Sequence, residues 1–239
     1  MSRFFARPNP SWSISAVIAT VLLLVALFVP LWKMALVAPQ YPKGLVMRAY
    51  GYKFVDDPQS PYDDVREING LNHYIGMKPI KEVTEMSMFI PGVLALAAGT
   101  ILVSFVAWKR RWLRALIVLG FWTMPVFFVA DLQWWLYHYG HTMHADAALN
   151  TGDFTPKVIG TTQVWNFHSE TSFEIGFYLL VAAALVITVG PVSGGLFRHL
   201  RAAIPSSRRA GAAGQRAPAH GGATVLKILL PLALLATAG

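Results

Sequence analysis

The chain contains no cysteine and carries little charge. Without cysteine it cannot form a disulfide, a thiolate zinc site, an iron–sulfur cluster or a covalently attached c-type haem. Only 13% of its 239 residues are charged, about half of the roughly 25% that is typical of a soluble domain. A metal bound by this chain would therefore be held by histidine, methionine, carboxylate or backbone groups. Such a composition is not typical of a water-soluble enzyme.

The sequence also lacks the short motifs that identify common active sites. It has no glycine-rich phosphate loop with its lysine, no Gly-x-Ser-x-Gly and no His-Glu-x-x-His. Paired carboxylates occur at residues 56–57 and 63–64, where they are typical of a solvated loop and a helix cap. We therefore predict that the chain is not an enzyme.

Long apolar runs are what the sequence does contain. A helix needs about 20 mostly apolar residues to cross roughly 30 Å of hydrocarbon, where the backbone has no other hydrogen-bond partners. Four runs meet this length, and Asp131 is the single charged residue within them. They are residues 8–32, 86–108, 115–137 and 175–197. The sequence predicts an all-α integral membrane protein with four to five transmembrane helices, the first of them an uncleaved anchor.

The distribution of charge predicts the orientation of these spans. The segments before the first span, between the second and third, and after the fourth contain Lys and Arg without any acidic residue. All 12 acidic residues lie within residues 56–85 or 131–174. Cytoplasmic loops carry the excess of Lys and Arg, so the N-terminus is predicted in the cytoplasm and the two acidic segments outside a bacterial cytoplasmic membrane. The net charge of +8 is thus interpreted as a topology signal, not as a nucleic-acid surface.

The predicted organisation follows from these boundaries. Residues 1–38 hold span 1, residues 86–136 hold spans 2 and 3 with a basic turn between them, and residues 173–197 hold span 4. Residues 39–85 form an extracytoplasmic loop, and residues 137–172 form a second, histidine-rich extracytoplasmic loop. Residues 198–222 form a basic cytoplasmic linker, and residues 223–239 form a marginal fifth span or a signal-like run.

The first outer loop is predicted to contain a short strand and a short helix. An extended chain would place Val46, Tyr50, Tyr52 and Phe54 on one face. Residues 64 and 67 have capping-box spacing and predict the start of a helix. His73 and Met77 near its end would share a face at positions i and i+4.

The second outer loop is richer in candidate ligands. His138, His141 and His144 are spaced by three, with Met143 among them. If the preceding helix continues, Asp131, Trp135, His138 and His141 fall along one stripe, although a glycine at 140 weakens that continuity. His168 lies just before the fourth span.

Histidine and methionine without cysteine favour copper over structural zinc. Imidazole suits several transition metals, whereas thioether selects Cu(I), and zinc prefers a closed set of four ligands. The predicted metal ligands are His138, His141, His144, Met143, His73, Met77 and His168, with Asp131 orienting a histidine. The alternative for each residue is an ordinary role at the membrane interface or at a helix end.

Two segments carry a resemblance to a known family. Residues 67–77 (EINGLNHYIGM) and 131–141 (DLQWWLYHYGH), with 154–156 (FTP) and 166–167 (NF), resemble small multi-span membrane proteins encoded beside nitrous oxide reductase and its copper-maturation and electron-supply proteins. The resemblance extends over about residues 41–189. It implies an accessory role for a copper enzyme matured outside the membrane, and it assigns no functional residues.

Three functions remain open at this point. The chain could support the copper enzyme by binding copper or by docking its maturation proteins, with the lipid bilayer and those proteins as partners. It could instead pass electrons from membrane quinol through b-type haem, which needs paired histidines. None of the seven histidines lies deep in a predicted span, which argues against haem. The third alternative is a purely structural anchor.

Overall fold

The computed structural model describes residues 10–80, 84–106, 109–144, 147–149 and 152–203, the last helix by its backbone alone beyond Pro191. Its helices are α1 (Pro10–Val25), α2 (Asp64–Tyr74), α3 (Thr84–Phe105), α4 (Arg111–His141) and α5 (Ile175–Ala203). Its strands are β1 (Trp32–Ala38), β2 (Tyr41–Ala49), β3 (Phe54–Asp56), β4 (Gly160–Val164) and β5 (Phe167–Phe173).

By its contacts the chain divides into two units, Met1–Arg198 and His199–Gly239. Of the second unit, the structure describes only the end of α5. Most of the predicted basic linker and the whole predicted fifth span therefore lie outside the described residues.

The fold is α/β, and the prediction of an all-α membrane protein is wrong. In the described part of the chain the strands form one antiparallel sheet of five strands, in the order β3-β2-β1-β5-β4. The central strand β1 follows α1 after a short 3-10 turn, Ala26–Phe28, and its Met34 is paired with Met47 of β2 and with Thr171 of β5. Segments predicted as two separate outer loops are thus joined through a strand that was assigned to the first span.

The predicted strand in the first loop is present, but its predicted face is wrong. β2 ends at Ala49, and the chain then turns, with the Tyr50 amide donating to the Lys53 carbonyl at 2.9 Å. The turn breaks the alternation on which the predicted face depended. The side chains buried along β2 are instead those of Leu45, Met47 and Ala49.

The apolar helices form close to where the sequence predicts them. Three of them are long and apolar enough to cross a membrane within the described residues, over Ser11–Phe28, Glu85–Phe105 and Arg111–His141. In α5, the described apolar part is the shorter segment Ile175–Pro191. The number of candidate spans in the described chain is therefore three and not four.

Small residues bring α1 and α5 close together. Ala19 of α1 and Ala183 and Ala184 of α5 are fully buried in one apolar cluster. A Cβ atom added at Gly190 would lie 2.0 Å from Ser15 Oγ. Small side chains at such contacts let helix backbones approach closely, which is how helices pack where lipid removes the hydrophobic driving force.

Helix α4 connects the helical part of the molecule with the sheet. Its 31 residues extend about 47 Å at 1.5 Å per residue, against about 30 Å for the hydrocarbon. Towards its C-terminus, Phe128, Leu132 and Leu136 pack on a second apolar cluster that contains Trp32 and Met47 of the sheet. The end of α4 is therefore a wall of the sheet domain.

Asp57 makes the β2–β3 region sensitive to acid. The backbone N–H of Gln59 and the guanidinium of Arg48 donate to its carboxylate at 3.1 and 3.2 Å, and these bonds lower the pKa of Asp57. Its folded pKa lies below the unfolded value of about 3.9, so its stabilisation is present above about pH 4 and is lost as the pH falls through the folded pKa.

We therefore expect Asp57→Asn to lower the melting temperature at neutral pH. The difference from the unchanged chain should shrink towards zero between about pH 4 and about pH 2. Circular dichroism melts of both proteins in detergent at several pH values measure this difference in melting temperature. A difference that stays constant across this range contradicts the assignment.

Candidate functional site

Helix α2 is fixed to the sheet by its first residues. Asp63 is the N-cap and accepts the backbone N–H of Arg66 at 3.1 Å, so the predicted cap is displaced by one residue. Asp64 is only 1% exposed, and its carboxylate accepts the Val46 backbone N–H of β2 at 3.0 Å and the Ser60 hydroxyl. Asp64 is therefore not the predicted cap but a buried acceptor for donors of β2 and of Ser60.

The end of α2 separates His73 from Met77. The helix ends at Tyr74, Gly76 takes a left-handed φ of 81°, and the Met77 amide donates to the Asn72 carbonyl at 2.8 Å. Only His73 remains in the helix, so the predicted shared helical face does not exist. The turn leaves His73 exposed and Met77 half-buried.

This turn contacts the histidine-rich segment directly. The His144 amide donates to the Gly76 carbonyl at 2.8 Å, and the Leu149 amide donates to the Tyr74 carbonyl at 3.2 Å. A Cβ added at Gly76 would lie 2.8 Å from the Ala147 Cβ, so glycine permits the close approach. We call the two joined segments, residues 73–77 and 138–144, the His/Met junction.

Two predicted ligands of the junction pack on aromatic rings. The helix continues through Gly140, and His138 stacks on Trp134 with ring centroids 5.1 Å apart. His141 stacks on Tyr137 at 4.0 Å, and its Nδ1 lies 2.9 Å from the Tyr137 carbonyl oxygen. A carbonyl only accepts, so a proton on Nδ1 completes this bond and leaves Nε2 as the ring nitrogen that can bind a metal.

The other predicted ligands are distributed differently. Met143 is half-buried and His144 is exposed at the end of the junction. His168 is exposed on β5, while its neighbours Phe167 and Ser169 line a cavity on the other face of the sheet. The described residues include no group of three or more His, Asp or Glu side chains placed to hold one metal ion. His168 therefore faces away from the cavity, which Met77 of the junction lines.

A cavity of about 190 Å³ lies between the sheet, α2, the start of α3 and the end of α4. Its lining is mostly apolar and aromatic, and Met34 and Met47, which are paired across β1 and β2, contribute to it. The methionines that line it in the described chain are Met34, Met47, Met77, Met86 and Met124. We call this space the sheet cavity.

A few polar groups also face the sheet cavity. Asp131 and Glu85 line it, and their carboxyl groups are close enough to interact electrostatically. Trp135 lines it as well, and its Nε1–H is buried without a hydrogen-bond partner among the described residues. Asp131 and Trp135 therefore belong to this cavity, whereas the next residue of the predicted stripe, His138, packs on Trp134.

Sequence reasoning did not identify the sheet cavity. Its methionines come from β1, β2, the turn after α2, α3 and α4, so no local spacing groups them. The available signal was the number of methionines in and beside the segments predicted as outer loops. No family model, curated protein or solved structure matches the chain.

Proposed function

We propose that the chain is a membrane accessory protein that supports the maturation or function of an extracytoplasmic copper enzyme, nitrous oxide reductase by the resemblance of residues 67–77 and 131–141. Its transmembrane helices anchor the sheet domain at the outer surface. The His/Met junction holds copper transiently. The junction also provides the surface on which the enzyme or its maturation proteins dock.

The contact between the first resembling segment and the residues that follow the second is the observation that carries this proposal. The two segments are distant in sequence, and the hydrogen bond from the His144 amide, three residues beyond the second segment, to the Gly76 carbonyl of the first connects them. The contact brings the chain segments of His73 and Met77 next to those of Met143 and His144. Imidazole and thioether donors on adjoining segments fit Cu(I) better than zinc, because thioether is a soft ligand.

His141 is the best-prepared ligand of the junction. Metal-binding histidines commonly donate their second ring N–H to a carbonyl or carboxylate, which fixes the tautomer and the ring orientation. The bond from His141 Nδ1 to the Tyr137 carbonyl and the stacking on the Tyr137 ring supply both constraints. The bond fixes the tautomer and the stacking fixes the ring orientation, so the remaining nitrogen, Nε2, points in one direction.

Replacing His141 by alanine is expected to weaken Cu(I) binding by about tenfold or more, the size of effect that substitutions around metal sites commonly have. The measurement is competition between the purified full chain and a chromogenic Cu(I) chelator. The matched control is His168→Ala, because His168 is exposed on the opposite face of the sheet from the cavity. It should bind Cu(I) like the unchanged chain.

The copper part of the proposal fails if the unchanged chain binds Cu(I) no more tightly than a variant in which His73, His141 and His144 are all alanine. The accessory part has its own readout, the copper content of nitrous oxide reductase purified from cells that carry either variant. We expect a lower copper content with His141→Ala than with His168→Ala. Equal copper contents would contradict a role for the junction in maturation.

A further inference from the structure

We infer that the sheet cavity is a binding site for a lipid-soluble ring compound with hydrogen-bonding oxygens, the chemical class of the quinones. Ile75, Met77 and Tyr139 belong to both the sheet cavity and the His/Met junction. The inference nevertheless does not depend on the copper proposal, because the probe and the variants that test the cavity involve none of the proposed copper ligands. It rests on the size and lining of the cavity, on the polar groups that face it, and on its position beside the transmembrane helices.

The size and lining of the cavity fit an organic ring. Ligand sites for small molecules are concave, mainly apolar and aromatic, with a few polar groups that fix orientation. Phe54, Phe89 and Phe128 supply aromatic surface here, and five methionines supply flexible thioether side chains. Methionine adapts to irregular shapes and packs favourably against aromatic rings.

The polar groups of the cavity fit an oxygen-bearing head group. The buried Trp135 Nε1–H has no partner among the described residues, and an unpaired buried donor costs about 1–3 kcal/mol. Trp135 lines the cavity, so a carbonyl or hydroxyl oxygen of a ligand that reached this N–H would satisfy it. The carboxyl groups of Asp131 and Glu85 line the same space and can accept hydrogen bonds from the hydroxyl groups of a reduced ring.

The cavity is also accessible from the lipid phase. Phe127 lines it and is 55% exposed on α4, a helix long and apolar enough to cross a membrane. Glu85 and Met86 lie at the start of the candidate span in α3. A compound dissolved in the bilayer would therefore reach the cavity between the start of the candidate span in α3 and the end of α4.

The test uses the full chain in detergent micelles with decylubiquinone as the probe. Decylbenzene, which has the same tail and no oxygen, is the comparison ligand. After equilibrium dialysis against protein-free micelles, chromatography measures how much probe the protein retains. This readout does not use tryptophan fluorescence, which the tryptophan variants would change. We expect saturable retention of about one decylubiquinone per chain, as one cavity implies, and no saturable retention of decylbenzene.

Two variants locate the binding to the sheet cavity. Ala49→Leu fills space at a residue that lines the cavity and is 3% exposed, and it should weaken decylubiquinone binding by at least about tenfold. Trp135→Phe keeps an aromatic ring and removes the N–H, and it should weaken binding by about three- to tenfold. The control is Trp134→Phe, an exposed neighbour that does not line the cavity and should leave the affinity unchanged.

The inference is overturned by any of three results. These are the absence of saturable decylubiquinone binding, equally tight binding of decylbenzene, and unchanged affinity in a folded Trp135→Phe variant. Because Trp135→Phe is conservative, it keeps the test decisive if Ala49→Leu fails to fold. The copper competition described above gives a separate result in every case, so failure of one proposal does not affect the other.

Discussion

Replacing Gly140 by alanine is expected to lower the melting temperature by about 6–12 °C. A Cβ at this position would lie 1.8 Å from the Phe154 carbonyl oxygen and 3.3 Å from Pro156 Cδ. The backbone around Phe154 would have to move, and overpacking of this kind costs up to about 3 kcal/mol, which corresponds to this shift in a chain of this length. The Phe154 amide also donates to the Gly140 carbonyl at 3.1 Å, and that bond would be strained with it.

Gly70→Ala is the matched control for this substitution. Gly70 lies within α2, and no described atom other than its own helix backbone and chain neighbours comes within 4 Å of a Cβ built there. Alanine favours a helix over glycine by about 0.5–1 kcal/mol, so this variant should melt at the same temperature or slightly higher. Thermal melts by circular dichroism in detergent compare the two. A Gly140→Ala variant that melts within 2 °C, about the effect of 1 kcal/mol, would show that residues 154–156 do not pack against α4 as described.

Replacing Asp64 by alanine is expected to have the second large effect, also about 6–12 °C. The carboxylate accepts a backbone N–H from β2 and the Ser60 hydroxyl, and hydrogen bonds to charged groups contribute about 1.5–3 kcal/mol each. The substitution leaves the half-buried Val46 N–H unpaired and removes one of the hydrogen bonds that fix the start of α2 to the sheet, where the Val65 N–H also donates to the Asp56 carboxylate. A total loss of about 3 kcal/mol corresponds to the stated shift.

The adjacent Asp63 provides the control for this prediction. It is exposed and caps α2 by accepting the Arg66 amide, and loss of an N-cap costs about 1 kcal/mol. Asp63→Ala should therefore lower the melting temperature by only about 2–4 °C. If Asp64→Ala and Asp63→Ala lower the melting temperature equally, the hydrogen bond from the Val46 N–H to Asp64 stabilises the protein no more than an ordinary helix cap does.

The helices were predictable because their signal is local. A long uncharged run determines a helix wherever the surroundings are apolar, since the backbone must satisfy its own hydrogen bonds. The predicted runs at 86–108 and 115–137 therefore agree with α3 and α4 within a few residues. The first run was overextended, because Leu31 and Trp32 are apolar for a different reason: both are fully buried where α1 gives way to the sheet.

The candidate site was only partly predictable. The spacing of His138, His141 and His144 singled out a segment that the structure joins to residues 73–77 through the His144 amide. The sequence does not contain the stacking of His138 on Trp134 or the position of His168 on the opposite face of the sheet. These depend on side-chain rotamers and on strand register, and a shift of register by one residue reverses the face of every side chain.

By itself the sequence determined the apolar helices, the asymmetry of charge between the segments that join them, and the presence of histidine and methionine, without cysteine, in the segments between the apolar runs. Each of these is a property of a continuous stretch of chain. Only the tertiary structure decided that β1 pairs with both β2 and β5, and hence that one sheet and one methionine-lined cavity replace two independent loops. The physical reason is that sheet pairing and cavity formation depend on contacts between distant residues, whose free energy appears only when the chain has closed upon itself.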